Sequence, residues 1–424
     1  MKKVLLPMLA LALLVLCTTA YAQKSDQGNN NNQGNDDQGN KNKLGPYRQL
    51  TTIPAASLAG GLAGFDISWV DSKDARYYLA NRGTGTTPVP CPAPVGTPPT
   101  CPNITVIDTE RDELIDQIFL SNAPNGVVAI HRTGNGQGEP GAGTLVTGTT
   151  PLSGESSKVL FIDLDHPHAP PFAVSTGGHV NCSPLCRADE LAYDPRDHII
   201  LVANDRDPDL FVTFISTENP PHVLGKIFYD GTTTPSNPQS TGGIEQPVWD
   251  KKTKRFYLAI PSTTKYSNGE VDEIDPNGTP ASGDTRGKIT RIFPTTCGPA
   301  GLVLIPNQRL MTSCGDVLDV KTGVIAHVPP AGTPLLAVAG DEIWFNSGDD
   351  RVYFGHNPAF VVDAKTYKQI IGTGPANPNG PPIPAGATHS IAADSENNHI
   401  FIPVTNVGVK VYTDDVDKGK GNEQ

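Results

Sequence analysis

One short plan, written four times, constrains this chain more than anything else in it. In DELAYDPRDHIILVAN, Asp189 stands five residues before Asp194, and Asn204 stands ten after it. GFDISWVDSKDARYYLAN keeps the spacing with Asp66, Asp71 and Asn81. GIEQPVWDKKTKRFYLAI and THSIAADSENNHIFIPV keep its first half, with Glu245 before Asp250 and His389 before Asp394. Each copy reads as a strand, an Asp-led turn and a second strand rich in β-branched and aromatic residues.

A second pattern alternates with the first: an apolar strand ending in Asp, a turn, then another strand. It occurs in ITVIDTERDELIDQIFL at Asp108, VLFIDLDHPHAPPFAVS at Asp163, DVLDVKTGVIAHV at Asp319 and FVVDAKTYKQIIG at Asp363, and LFVTFISTENPPHVLGKIF varies it without the Asp. Two hairpins per unit make a four-stranded antiparallel module. First strands begin near Asp66, Asn125, Asp189, Glu245, Pro299, Leu335 and His389, which gives seven modules, spaced irregularly by insertions such as 133–143 and 263–285. The seventh has strands at Ile391, Ile400 and 409–412 and lacks a fourth; the orphan strand YRQLTTI at 47–53 supplies it. A module apolar on both faces must stack on neighbours, and radial stacking of four-stranded modules is a β-propeller. The expectation is an all-β chain: a seven-bladed β-propeller of four-stranded antiparallel blades over 46–413, its last blade closed by an N-terminal strand that leaves no open edge there. Gly 43, Pro 40 and a mean hydropathy of -0.27 suit many turns and short half-buried strands.

The termini read differently. Lys2 and Lys3 precede an apolar run at 4–17, and Ala20-Tyr21-Ala22 offers a cleavage site, so 1–22 reads as an export signal. The run is too short for a stable membrane anchor, and no other segment reads as transmembrane. Lipid anchoring at Cys17 is the lesser alternative, because bulky Leu16 precedes it. Residues 23–45 form a polar flexible linker and 414–424 a charged flexible tail. Export, periplasmic or fully secreted, makes the other six cysteines candidates for disulfides, and spacing favours Cys91–Cys101, Cys182–Cys186 and Cys297–Cys314. A net charge of -12 argues against nucleic acid and anionic membrane as partners. A monomer with a small molecule or a protein at its channel mouth is the expected assembly.

In a propeller the first strand of each blade lines the central channel, so equivalent positions converge on the axis. Asp66, Asp189, Glu245 and His389 open the first strands of four modules. Carboxylates and an imidazole so gathered repel one another unless protons or a cation intervene. The expected cofactor is a divalent cation held by these residues, Ca²⁺ foremost, with Zn²⁺ and Mn²⁺ as alternatives. Glu190, beside Asp189, competes for the same role under a one-residue change of register. In the loop GGHVNCSPLCR before the third module, His179 is a candidate acid–base residue, and Arg187, with Glu190, a candidate substrate contact. No GxSxG elbow, phosphate-binding loop, HExxH or paired CxxC is present.

The units ending in VIDT and FVVDAKT resemble YVTN/lactonase-like seven-bladed repeats. GIEQPVWD is similar to the E-G-P-x-W-D start found in SMP-30/gluconolactonase-like propellers, where that Glu binds a divalent metal in the central channel. Glu245, Pro247, Trp249 and Asp250 match, and Gln246 stands in place of the Gly. The resemblance implies that Glu245 is a metal ligand, with Asp66 and Asp189 in the family's other channel positions. Two functions follow as expectations. One is a metal-dependent lactone or ester hydrolase in which Glu245, His389 and His179 carry the chemistry. The other is a non-catalytic binding propeller. An open channel pocket with metal favours the first, and a plugged channel the second.

Overall fold

A computed structural model describes residues 47–84, 101–131, 143–180, 186–327, 341–371, 383 and 385–414. The segments read from sequence as an export signal, a linker and a tail beyond Asp414 lie outside them.

The strands form seven sheets of four antiparallel strands each. After an opening strand β1 (Tyr47–Pro54), the first blade holds β2 (Phe65–Asp71), β3 (Arg76–Asn81), β4 (Asn103–Asp108) and β5 (Glu113–Phe119). The second holds β6 (Pro124–Ile130), β7 (Thr144–Thr149), β8 (Lys158–Asp163) and β9 (Phe172–Ser175). The third holds β10 (Leu191–Asp194), β11 (Ile199–Asn204), β12 (Phe211–Ser216) and β13 (His222–Phe228). The fourth holds β14 (Pro247–Asp250), β15 (Arg255–Ile260), β16 (Glu270–Asp275) and β17 (Lys288–Pro294). The fifth holds β18 (Leu302–Ile305), β19 (Arg309–Thr312), β20 (Val317–Asp319) and β21 (Ile325–His327). The sixth holds β22 (Ile343–Asn346), β23 (Arg351–Phe354), β24 (Phe360–Asp363) and β25 (Gln369–Ile371). The last holds β26 (Ala392–Ala393), β27 (His399–Val404), β28 (Gly408–Asp414) and, as its outer strand, β1 (Tyr47–Pro54). Each first strand touches the next, from β2 through β6, β10, β14, β18, β22 and β26 back to β2, so the ring is closed. The expected seven-bladed propeller and its N-terminal closing strand are both present.

The repeated aspartates at strand ends explain the turns. Asp194 Oδ1 accepts from the Arg196 amide at 2.8 Å, Asp250 Oδ1 from Lys252 at 2.9 Å and Asp394 Oδ1 from Glu396 at 2.9 Å. Each side chain thereby folds its own turn. The residue opening the next strand side is left-handed, with φ of 55° at His198, 58° at Lys254 and 60° at Asn398. Between blades, apolar faces interdigitate: Tyr77 stacks on Phe401 across the seam between the first and last blades, ring centroids 4.9 Å apart. That seam is also sewn by polar contacts, with Asn397 Nδ2 donating to the Thr109 carbonyl at 2.7 Å and His399 Nδ1 lying 2.9 Å from Asp112.

β1 pairs with β28 from Tyr47 opposite Asp414 to Pro54 opposite Gly408. β28 thus reaches Asp414, whose buried carboxylate accepts from Arg351 at 2.5 Å. The sixth blade departs from the sequence reading. Its start, expected near Leu335, falls outside the described residues, and its first described strand begins at Ile343. Cys297 and Cys314 form the expected disulfide, Cα atoms 6.0 Å apart, flanking the β18–β19 hairpin. Cys101 and Cys186 are disulfide-bonded as well; their expected partners, Cys91 and Cys182, lie outside the described residues. Among the described residues no helix is long and apolar enough to cross a membrane.

Candidate functional site

The first strands crowd the axis. A Cβ on Gly126, at the start of β6, would lie 2.4 Å from the Asp189 carbonyl oxygen, so only glycine lets the second and third blades approach there. Around this point the acids preceding β10, β14 and β22 meet those of β2.

At the mouth the charges are paired. Arg187 Nε lies 2.6 Å from Asp189, its Nη2 3.1 Å from Asp205 and its Nη1 3.9 Å from Asp66. Arg82 also pairs with Asp66 and donates to Asn125 Oδ1 at 2.8 Å. His389 stacks on Phe65, centroids 4.7 Å apart, and its Nε2 lies 3.4 Å from Asp66 Oδ1. Burial pushes Asp66 upward, but Arg82, His389 and Arg187 outweigh it and hold the carboxyl below its ordinary range. Burial pulls His389 down, and Asp66 overcomes that to raise it.

One layer inward the balance reverses. Glu190, Glu245 and Asp341 come from three different blades, and an oxygen of each lies within 4.8 Å of the others. None of the three is in an ion pair among the described residues. Burial pushes the Glu190 and Glu245 carboxyls well up, and their carboxylate neighbours add to it. Asp341 is raised too, first by burial. Glu190 Oε2 is buried without a hydrogen-bond partner. Glu342 lies alongside, its Oε2 accepting from Ser390 Oγ and from the Ile391 amide at 3.2 Å. A second set, Asp189, Asp205 and Glu245, meets the same 4.8 Å criterion, but Arg187 already neutralises two of its members. Asp71, Asp74 and His131 form a third set at the β2–β3 turn.

The residues singled out from sequence therefore divide. Asp66, Asp189, Glu245 and His389 all reach the channel, as does Glu190. Glu245 joins both axial carboxylate sets, Asp189 joins one, and Asp66 and His389 pair with each other instead. Arg187 is held by its aspartates as an internal counter-ion. His179 Nδ1 lies 2.7 Å from Asp207 and its Nε2 3.4 Å from Asp209. Asp341, Glu342, Asp205 and Arg82 were not anticipated. The signal for the first two was legible: DEIWFN places Asp341 five before Asn346, as DELAYD places Asp189 five before Asp194. Asn346 ends that strand where the other copies have Asp, which hid the match. Arg82 and Asp205 occupy one repeat position, directly after Asn81 and Asn204.

No family model and no curated protein matches the chain. Solved structures do. A chain of the mitotic checkpoint complex superposes with a TM-score of 0.52 at 12% identity, covering 93% of this chain and 98% of that one. A chain of hydrazine synthase from Kuenenia stuttgartiensis does so with a TM-score of 0.54 at 11% identity, covering 86% and 98%. At such identities the likeness is one of fold.

Proposed function

We propose that this propeller, of the YVTN/lactonase-like or SMP-30-like kind, holds a divalent cation in its central channel on Glu190, Glu245 and Asp341. The observation that carries the reading is that, among the described residues, these gathered carboxylates form no ion pair and feel Arg187 and His389 only from a distance, whereas Asp189 and Asp205 of the neighbouring set pair directly with Arg187. Buried like charges need either protons or a metal, and the unpartnered Glu190 Oε2 is a ligand atom in waiting. The donor set is all oxygen, which suits Ca²⁺ and favours Zn²⁺ least. The Cys297–Cys314 disulfide supports the exported, extracytoplasmic setting read from the leader.

The accompanying activity is hydrolysis of a lactone or ester, for which a bound cation supplies carbonyl polarisation. His389 and Asp66 supply the proton-handling pair at the mouth: Asp66 fixes the imidazole through Nε2, Phe65 orients it, and the other ring nitrogen, Nδ1, exchanges the proton. Arg187 and Arg82 hold the mouth carboxylates in place so that the pair stays ionised. His179, on Asp207, serves as an outer acid–base residue.

The test is metal content of purified protein, wild type beside Glu245→Gln, followed by a screen of lactones and aryl esters. Stoichiometric metal, lost in the variant, is the expected result. Wild-type protein without metal after incubation with Ca²⁺, Mn²⁺ and Zn²⁺ overturns the reading.

A further inference from the structure

On the far side of the carboxylates the channel widens into a cavity of about 650 Å³, which opens at the face carrying the β10–β11 and β14–β15 turns. Its size is that of a site for a small organic molecule. Trp69, Trp249 and Trp344 all line it, and the chain contains only 3 tryptophans. Trp69 meets Trp344 edge to face with centroids 5.2 Å apart, and Tyr193 adds another aromatic wall. The polar lining of the inner end is Glu190, Gln246 and Glu342. Glu190 is only 4% exposed and its Oε2 has no hydrogen-bond partner.

We infer that this compartment binds a hydrophobic organic cation, an alkylated ammonium whose apolar body lies against the tryptophans and whose charge faces Glu190. The alternatives each leave something unmatched. A neutral apolar molecule would cover Glu190 Oε2 without satisfying it. An anion would face Glu190 and Glu342, with Asp189, Glu245 and Asp341 behind them. A bare metal ion makes no use of aromatic walls, whereas the negative face of an indole ring attracts an organic cation. Among the described residues, the basic side chains lining the cavity are Lys251 and Lys252 alone. Both are exposed at its outer rim, where solvent and salt screen them.

The inference goes beyond the metal reading and does not need it. Because Glu190 belongs to both, the measurement is made on protein dialysed against chelator. With every tryptophan on the cavity wall, intrinsic fluorescence reports its occupancy directly. Benzyltrimethylammonium should shift the emission saturably. Benzyl alcohol should bind at least roughly tenfold more weakly and benzoate more weakly still, a difference of about 1.4 kcal/mol or more. Glu190→Gln should remove most of the preference for the cation while leaving benzyl alcohol unaffected, and Glu190→Asp, which keeps the charge, should retain it. Equal binding of alcohol and ammonium, or an ammonium titration without saturation, overturns the inference. Metal binding is scored separately on Glu245→Gln, since Glu245 does not line the cavity, so the two readings fail independently.

Discussion

Asp66 and Glu190 are nearly equal in exposure, 5% and 4%, and belong to the same narrow channel. Their acidities nevertheless move in opposite directions. Asp66 is flanked by Arg82, Arg187 and His389, and its carboxyl is held down. Glu190 faces Glu245, Asp189, Asp341 and Glu342, and its carboxyl is pushed well up, by burial first. Burial alone does not decide what a channel acid does, and neither does a single partner. Asp189, paired with Arg187 but close to Asp66 and Asp205, is still pushed well up by burial, and only the three cationic neighbours of Asp66 reverse the direction. One residue of depth separates an ion-paired mouth, which is structural in the first instance, from a layer that still requires a cation or protons.

The most severe way to break that contrast is to strip the mouth of its counter-ion. Arg187→Ala leaves Asp66, Asp189 and Asp205 buried with a cation removed, and chemical denaturation near neutral pH should show a loss of about 3–5 kcal/mol. A loss of under about 1 kcal/mol would mean that Arg82 and water suffice.

A pH series sharpens it. Asp66 is depressed in the fold, so the stability it contributes is present above its unfolded pKa and is lost as pH falls through its folded value. Glu190 is raised, so its contribution is complete below its unfolded pKa, about 4.3, and is lost as pH rises toward the folded value. In chelator, Glu190→Gln should gain stability relative to wild type as pH climbs above about 4, while Asp66→Asn should keep a constant deficit above about pH 4 and recover only as pH falls below it. Parallel profiles for the two variants would abolish the distinction between the layers.

The smallest effect belongs to the aspartates that merely fold turns. Asp363 accepts from the Lys365 and Thr366 amides at 3.0 and 2.7 Å on the outer half of its blade. Asp363→Ala should cost about 1 kcal/mol in a thermal or denaturant melt.

How much of this was legible follows from what each residue has to do. The strand-ending aspartates and their left-handed followers recur because the same local turn is built in blade after blade, so the blades and the closing strand could be read from spacing alone. The convergence of Asp66, Asp189, Glu245 and His389 on the channel followed from the topology. Their pairing did not. Whether Asp66 meets Arg82 or a metal depends on side-chain reach, which strand periodicity does not encode. Asp341 was overlooked because Asn346 builds its turn in place of Asp. The tryptophan-lined cavity had a signal too, since Trp69 and Trp344 stand three residues after Asp66 and Asp341, and Trp249 and Tyr193 four after Glu245 and Asp189, but a strand aromatic by itself reads as core.

The seam between β1 and β28 has a mechanical corollary. Tyr47 lies opposite Asp414, so the two outer ends of the paired strands meet at one spot, and tension applied between them peels the pair open. Cross-strand hydrogen bonds then break in succession from Tyr47 toward Pro54 rather than sharing the load. Pulled from these ends, the molecule should yield first at its latch and at low force, while the blades built from consecutive strands hold until the chain reaches them.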